Sequence, residues 1–365
     1  MPAEGNRMEK KRIRDYGITI GRMKTGKRNK ITDVPGVLVG HSTIKNQENH
    51  TGVTVILPGQ DNAFAEKYTA ASYVHNGFGK SCGLVQIEEL GSLETPIALT
   101  NTLNVGLVWD AVAEYVIRRC REDNVPVLSL NPVVGECNDS RINRIQNRAV
   151  REMHVMEAIS HAGEEFEEGD VGAGAGTVCY GLKGGIGSAS RIVELSGTEY
   201  TIGVLVQSNF GATADLLLNG MPVGEKILRK KKEKDDMAAS EQDKGSIMTI
   251  LATDLPVSHR QLKRIIRRAA VGIARTGAYT GHGSGEVMIG FTTANRIPSG
   301  DKEALLTQTL IREDLINPAF QAAAEAANEA ILNSMACAER TAGIGGEIYY
   351  SLAEFLPEIL SGADI

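Results

Sequence analysis

A serine follows a glycine where a charged run meets an apolar one. Of the 20 residues from Glu225 to Lys244, 13 are Asp, Glu, Lys or Arg; Gly245-Ser246 comes next, and Ile247-Met248-Thr249-Ile250-Leu251-Ala252-Thr253 begins at once. So many charges cannot bury a core face, so residues 225–245 read as a solvated connector leading into a buried strand. Scission of the Gly245–Ser246 bond would leave a serine with both a hydroxyl and a free α-amine at the mouth of that strand. An α-amine has a reference pKa of about 8, so it can act as general base for the hydroxyl beside it in acyl transfer. Two other segments complement such a nucleophile. Ser284 and Glu286 alternate across Gly285 ahead of Val287–Phe291, so both project from one face of a strand end, where they could orient a nucleophile and relay its proton. Asn209, in Val206-Gln207-Ser208-Asn209-Phe210-Gly211, can donate its amide NH2 to an oxyanion, a contribution of about 3 kcal/mol. By spacing alone each group also fits an ordinary strand end or turn.

Other motifs lead elsewhere. Gly77-Phe78-Gly79-Lys80-Ser81 has the end of a phosphate-binding loop, but Val74 stands where that pattern needs glycine. Gly172-Ala173-Gly174-Ala175-Gly176-Thr177 follows an acidic stretch and has Thr177 at the sixth position, so it reads as a glycine-rich turn and not a dinucleotide site. Gly281-His282-Gly283-Ser284-Gly285 fails as a nucleophile elbow because His282 and Glu286 occupy the flanking glycine positions. The seven histidines show no ligand spacing, and no metal is assigned. Five scattered cysteines (82, 120, 137, 179 and 337) form no CxxC and read as reduced thiols of a cytoplasmic protein. A net charge of −6 gives no reason to expect nucleic acid. The polar N-terminus shows no secretory signal, and no run is long enough to span a membrane.

The elements that must position these groups alternate between strand and helix. Strands are expected at Gly36–Gly40, Val53–Leu57, Val127–Leu130, Thr177–Leu182, Thr201–Gln207, Ser246–Thr253 and Gly285–Phe291. Most are apolar on both faces, as in sheets covered on each side. Helical patterns span Asn104–Arg119, Ser258–Arg275 with a capping box at Ser258 and Gln261, and Pro318–Ala336, whose alanines permit close packing. With no second linker and no repeat, the chain reads as one layered α/β domain over 1–365, interrupted by the connector.

The residues together resemble the L-aminopeptidase/D-alanine esterase-amidase family, which includes the β-aminopeptidases. The likeness is nearly full length and is carried by RIRDYGITIGRMKTGKRNKITDVPGVLVGH, GFGKSCGLVQIEELGSLETPIALTNTLNVG, NPVVGECND, GAGAGTVCYGLKGGIGSASR, VLVQSNFG, KGSIMTILATDLP and GHGSGE. The resemblance implies an N-terminal-nucleophile-like α/β/β/α sandwich, the DOM fold. It also implies self-cleavage between Gly245 and Ser246 into an α chain of 1–245 and a β chain of 246–365, assembled as a tetramer of αβ units. Carried over by position, it implies Ser246 as nucleophile, Ser284 and Glu286 as its supporting pair, and Asn209 as oxyanion donor. Glu136 falls where relatives place a carboxylate near the substrate ammonium. Asn138 aligns with a family tyrosine, a departure that bears on substrate preference. The expected activity is removal of N-terminal residues from small peptides, amides or esters, without a cofactor, with L-aminoacyl amides placed before β-aminoacyl ones. Two other readings are a self-processing acyltransferase of the ornithine acetyltransferase type, whose nucleophile is threonine, and a catalytically silent homologue acting as a scaffold.

Overall fold

Strands that are apolar on both faces have to be covered on both faces, and this requirement sets the layering. The computed structural model describes residues 10–234, 245–300 and 304–361. The elements begin with β1 (Leu38–Lys45), β2 (His50–Leu57), β3 (Glu66–Gly77), α1 (Leu84–Leu90), β4 (Ser92–Leu93), β5 (Ile97–Asn101), α2 (Val105–Glu122), β6 (Val133–Cys137) and α3 (Glu152–Ser160). They continue with β7 (Val178–Cys179), β8 (Leu182–Lys183), β9 (Gly185–Leu195), β10 (Thr198–Asn209), β11 (Leu217–Leu218), β12 (Met221–Pro222) and α4 (Gly224–Lys234). The remainder is β13 (Ser246–Thr253), α5 (His259–Ile266), α6 (Ala269–Arg275), β14 (Gly285–Pro298), α7 (Asn317–Ala336), β15 (Thr341–Ala342), β16 (Ile348–Tyr349) and α8 (Leu356–Leu360).

One sheet has the order β1-β2-β5-β6 and the other β4-β3-β14-β13-β10-β9. Helices α2 and α3 cover the outer face of the first, and α5 and α7, with α6 packed on α7, cover the second. The inner faces meet through Ile56, Leu99, Val133, Leu205, Met248 and Ile250. The result is the expected four-layer α/β/β/α sandwich. Within it β13 is buried along its whole length, paired antiparallel with β10 and parallel with β14. The alanines of α7 permit the close packing anticipated for them: a Cβ added to Gly272 of α6 would lie 2.5 Å from the Ala324 carbonyl oxygen.

Several boundaries differ from the sequence reading. Val127–Leu130 forms no strand; Leu128 is fully exposed, and pairing starts only at Val133. Thr177–Leu182 divides into β7 and β8 around Tyr180, which has φ 51°. The helix expected over Ser258–Arg275 breaks after Ile266 into α5 and α6. Residues 225–234 belong to helix α4, because Ile227 is buried and gives the charged segment an apolar anchor; residues 235–244 of the connector lie outside the described residues.

A buried charge cluster ties the N-terminal segment to this frame. Arg191 of β9 donates to Glu325 at 3.1 Å, Glu329 at 2.7 Å and the Ile20 carbonyl at 2.7 Å, while Arg14 reaches Glu329 at 2.6 Å. Burial alone would raise the Glu329 carboxyl; the Arg14 hydrogen bond and the Arg191 charge outweigh it and hold it below its ordinary value. Removing one partner of such a cluster strands the others. Arg191→Ala should therefore lower stability by about 3–5 kcal/mol, read as a shift of the chemical denaturation midpoint; a midpoint equal to wild type would refute this role.

Candidate active site

Strand pairing brings four of the sequence-derived residues to one end of the larger sheet. Ser246 opens β13 and is nearly buried. Antiparallel β10 sets Asn209 directly opposite it, and parallel β14 sets Gly285 opposite on the other side. Ser284 and Glu286 flank Gly285, both buried, and the Ser284 hydroxyl donates to the Glu286 carboxylate. The Gly285 N–H donates to the Gly245 carbonyl oxygen at 2.9 Å. Only glycine fits at 245, since a Cβ there would lie 2.0 Å from the Asn209 carbonyl oxygen.

Each group has its own support. The Val178 N–H donates to Asn209 Oδ1 at 2.9 Å, so the amide NH2 is the end left to donate. Asn76 Nδ2 donates to the carbonyls of Gly281, at 3.1 Å, and Ser284, fastening the turn that carries Ser284. Beneath Val178, the fully buried Lys183 donates to the carbonyls of Gly174 (3.0 Å), Thr177 (3.0 Å) and Gly184 (2.9 Å). Burial pushes its ammonium down to about 7, against the opposing pull of Asp170.

Glu136 comes from the facing sheet. Its Oε1 accepts from the Lys80 N–H at 2.9 Å and its Oε2 from the Thr102 hydroxyl. The loop carrying Lys80 spans the gap between the sheets: a Cβ on Gly79 would lie 3.7 Å from Glu136 Oε1 and 4.0 Å from Val287 Cγ2. Asn138, by contrast, is exposed, and its Oδ1 accepts from the Ser140 N–H at 2.9 Å in a local turn. Cys137 was not anticipated from sequence. Its buried thiol donates to the Gln207 carbonyl at 3.4 Å and is hydrogen-bonded by the Ser246 side chain. Burial pushes this thiol far above its ordinary value, so it stays neutral. Position next to Glu136 was the only sequence hint for Cys137, and nothing in the sequence marked Asn76, Thr102 or Lys183.

The arrangement offers a hydroxyl at a strand head, a buried hydroxyl–carboxylate pair, an amide donor and a carboxylate held by two donors. These are the parts of an acyl-transfer site for substrates bearing an ammonium. Among the described residues, no group of three or more His, Cys, Asp or Glu side chains could hold a metal ion, and no helix is long and apolar enough to cross a membrane.

Comparison with known proteins gives a consistent picture. A model of peptidase family S58 matches residues 29–349. A β-peptidyl aminopeptidase, BapA, of Sphingosinicella xenopeptidilytica is 35% identical over 360 residues, covering 93% of this chain and 88% of that protein. Among solved structures, the PH0078 protein of Pyrococcus horikoshii OT3 is 44% identical, with a TM-score of 0.88 over 95% of this chain and 98% of that one. The L-aminopeptidase D-Ala-esterase/amidase of Ochrobactrum anthropi is 33% identical, with a TM-score of 0.87 over 96% and 98% of the two chains. It is described as a prototype for the serine aminopeptidases and a new variant among the Ntn hydrolase fold.

Lys183 carries a pH prediction. Its folded-state value of about 7 lies below the ordinary 10.5, so between these pH values the unfolded chain binds more protons than the folded one. Stability contributed by this group must then rise with pH across that window. Lys183→Met should remove that slope and, by freeing the turn behind Asn209, lower kcat. Denaturation midpoints of the two proteins from pH 7 to 10.5 test this, and parallel curves would refute it.

Proposed function

This chain belongs to peptidase family S58, and from that premise we propose that Ser246 is the nucleophile of a self-processing serine aminopeptidase and amidase. The observation that carries the reading is the placement of Ser246 between Asn209 and Gly285, with the scissile Gly245 carbonyl already hydrogen-bonded by the Gly285 N–H. In the uncut chain, Ser246 Oγ attacks the Gly245 carbonyl carbon and its proton passes to the departing nitrogen. The C–N bond breaks, leaving an ester at Ser246 Oγ and a free amine at Ser246 N. Water cleaves the ester, giving a carboxylate at Gly245 and restoring the hydroxyl. The products are an α chain of 1–245 and a β chain of 246–365, and we propose that they assemble further as a tetramer of αβ units.

The same hydroxyl then attacks the first carbonyl of a substrate. The new amine, with a reference pKa of about 8, accepts and returns the proton. The Ser284–Glu286 pair orients the nucleophile, Asn209 Nδ2 donates to the oxyanion, and water releases the acyl group. Glu136, held by Lys80 N–H and Thr102, receives the substrate ammonium and so directs the enzyme to N-terminal residues. Substrates are small aminoacyl peptides, amides and esters. Both β-aminopeptidases and an L-aminopeptidase D-Ala-esterase/amidase stand among the relatives, which makes L-, D- and β-aminoacyl p-nitroanilides the assay set.

Denaturing electrophoresis should show two fragments for wild type and one intact band for Ser246→Ala; an uncut, active wild type overturns the proposal. In the matured enzyme, Asn209→Ala should lower kcat about 10²–10³-fold, whereas Glu136→Gln should act mainly by raising KM for substrates with a free amine. Equal loss on N-acetylated substrates would remove Glu136 from amine recognition.

A further inference from the structure

The segment running from α5 through α6 carries six cations, counting Lys and Arg, and no acid between His259 and Arg275. Four of them are answered locally. Arg260 and Arg264 pair with Glu313, Lys263 pairs with Glu88, and Arg267 lies over the Tyr73 ring at 4.8 Å. Arg268 and Arg275 have no carboxylate partner among the described residues. With Arg22, which also lacks one, they line a cleft of about 520 Å³ between the Gly21-Arg22 segment, α6 and the first half of α7.

The cleft has one carboxylate, Glu325, and it is already committed. Glu325 accepts from Arg191 at 3.1 Å, from the backbone N–H groups of Arg22 (3.1 Å) and Met23 (3.0 Å), and from the Gln321 amide at 2.8 Å. The Arg268 guanidinium is held in place, 3.9 Å above the Phe320 ring and donating to the Arg264 carbonyl at 3.0 Å. Burial, then the charges of Arg264 and Arg267, lower its pKa, as expected where positive charge is left unbalanced.

We propose that this cleft is a binding site for a small multivalent anion, a polyphosphate or a polycarboxylate, held by Arg22, Arg268 and Arg275. Its volume falls within the roughly 300–1,000 Å³ typical of small-molecule sites. Guanidinium forks match phosphate and carboxylate oxygens in pairs, and Phe320 supplies a rigid floor. The cleft belongs to the outer helical layer and contains none of the residues around Ser246, so its occupancy is independent of the catalytic reading.

Isothermal titration of the full chain with sodium tripolyphosphate and, separately, citrate tests the proposal. Saturable binding of one anion per chain is expected, with affinity falling about tenfold or more between low and high salt, as for an exposed ionic site. The Arg268→Gln/Arg275→Gln variant should bind at least about tenfold more weakly, and the exposed single variant Arg275→Gln should be intermediate, while Arg260→Gln, whose charge is already paired, should match wild type. The better of the two probes identifies the anion class. Absence of saturable binding with both probes, or equal affinity in the double variant, overturns the proposal.

Discussion

The site rests on one backbone constraint: the head of a central strand is clamped between two neighbours of opposite direction. Because β13 pairs antiparallel with β10 and parallel with β14, Ser246 is fixed against Asn209 and Gly285 at the same time. A strand edge would leave one of those contacts to a loop. A slip of one residue in either ladder would also turn Ser246 to the other face of the sheet. The burial of all eight residues of β13 enforces the register, so the hydrophobic core determines where the hydroxyl sits. The absence of a side chain at 245 is part of the same constraint, since the ladder brings the Asn209 carbonyl into the space a Cβ would need.

A second constraint comes from stacking two sheets. Glu136 belongs to β6, in the sheet opposite Ser246; its neighbour Cys137 joins that strand to the larger sheet through the Gln207 carbonyl and the Ser246 side chain, but the Glu136 carboxylate needs a link of its own. The 78–80 loop makes that link, passing from β3 beside β14 to an N–H donated into Glu136. Thr102, just ahead of α2, supplies the second donor. Two hydrogen bonds satisfy a buried carboxylate that would otherwise lack partners, and here the donors come from two different layers. Recognition of a substrate amine on this plan depends on the spacing between sheets, while the nucleophile depends on pairing within one sheet.

This division explains what the sequence made legible. Ser246, Ser284, Glu286 and Asn209 lie at ends of strands whose apolar runs announce themselves, so their convergence could be anticipated. β3 and β9 could not be found in that way: the buried Ala70-Ala71-Ser72 and Gly185-Ile186-Gly187-Ser188-Ala189-Ser190 stretches consist mostly of Gly, Ala and Ser, which have little intrinsic strand preference. They are strands because paired neighbours complete their hydrogen bonds, β3 between β4 and β14 and β9 along β10 at the sheet edge. Val127–Leu130 shows the converse, an apolar run with strand-forming residues left outside the sheet, Leu128 fully exposed. Asn76, Thr102 and Cys137 act through contacts between distant segments, and a single sequence holds no trace of such contacts. The start of β13 was legible for the opposite reason: the change from charged to apolar residues is abrupt and local.

The glycine run at 172–177 shows how polarity, more than motif, decides what a turn can hold. A turn built for pyrophosphate presents N–H groups inward. Here the carbonyls of Gly174 and Thr177 point inward instead, and with that of Gly184 they surround the Lys183 ammonium. The turn is thus a cradle for a cation, and the cation is the chain's own. An ammonium in this position has all three protons used, which is the condition under which burying a charge is tolerable. The Val178 N–H that follows the cradle is the one that fixes Asn209. Replacing Lys183 by an apolar residue would take this donor from the Gly184 carbonyl and leave the Gly174 and Thr177 carbonyls to the Thr177 hydroxyl and the Gly184 N–H, an unmet carbonyl costing about 1–3 kcal/mol, directly behind the amide that faces Ser246. A buried charge that would be a liability in a plain core is thereby turned to holding one side chain's orientation, and it does so without itself facing the reaction.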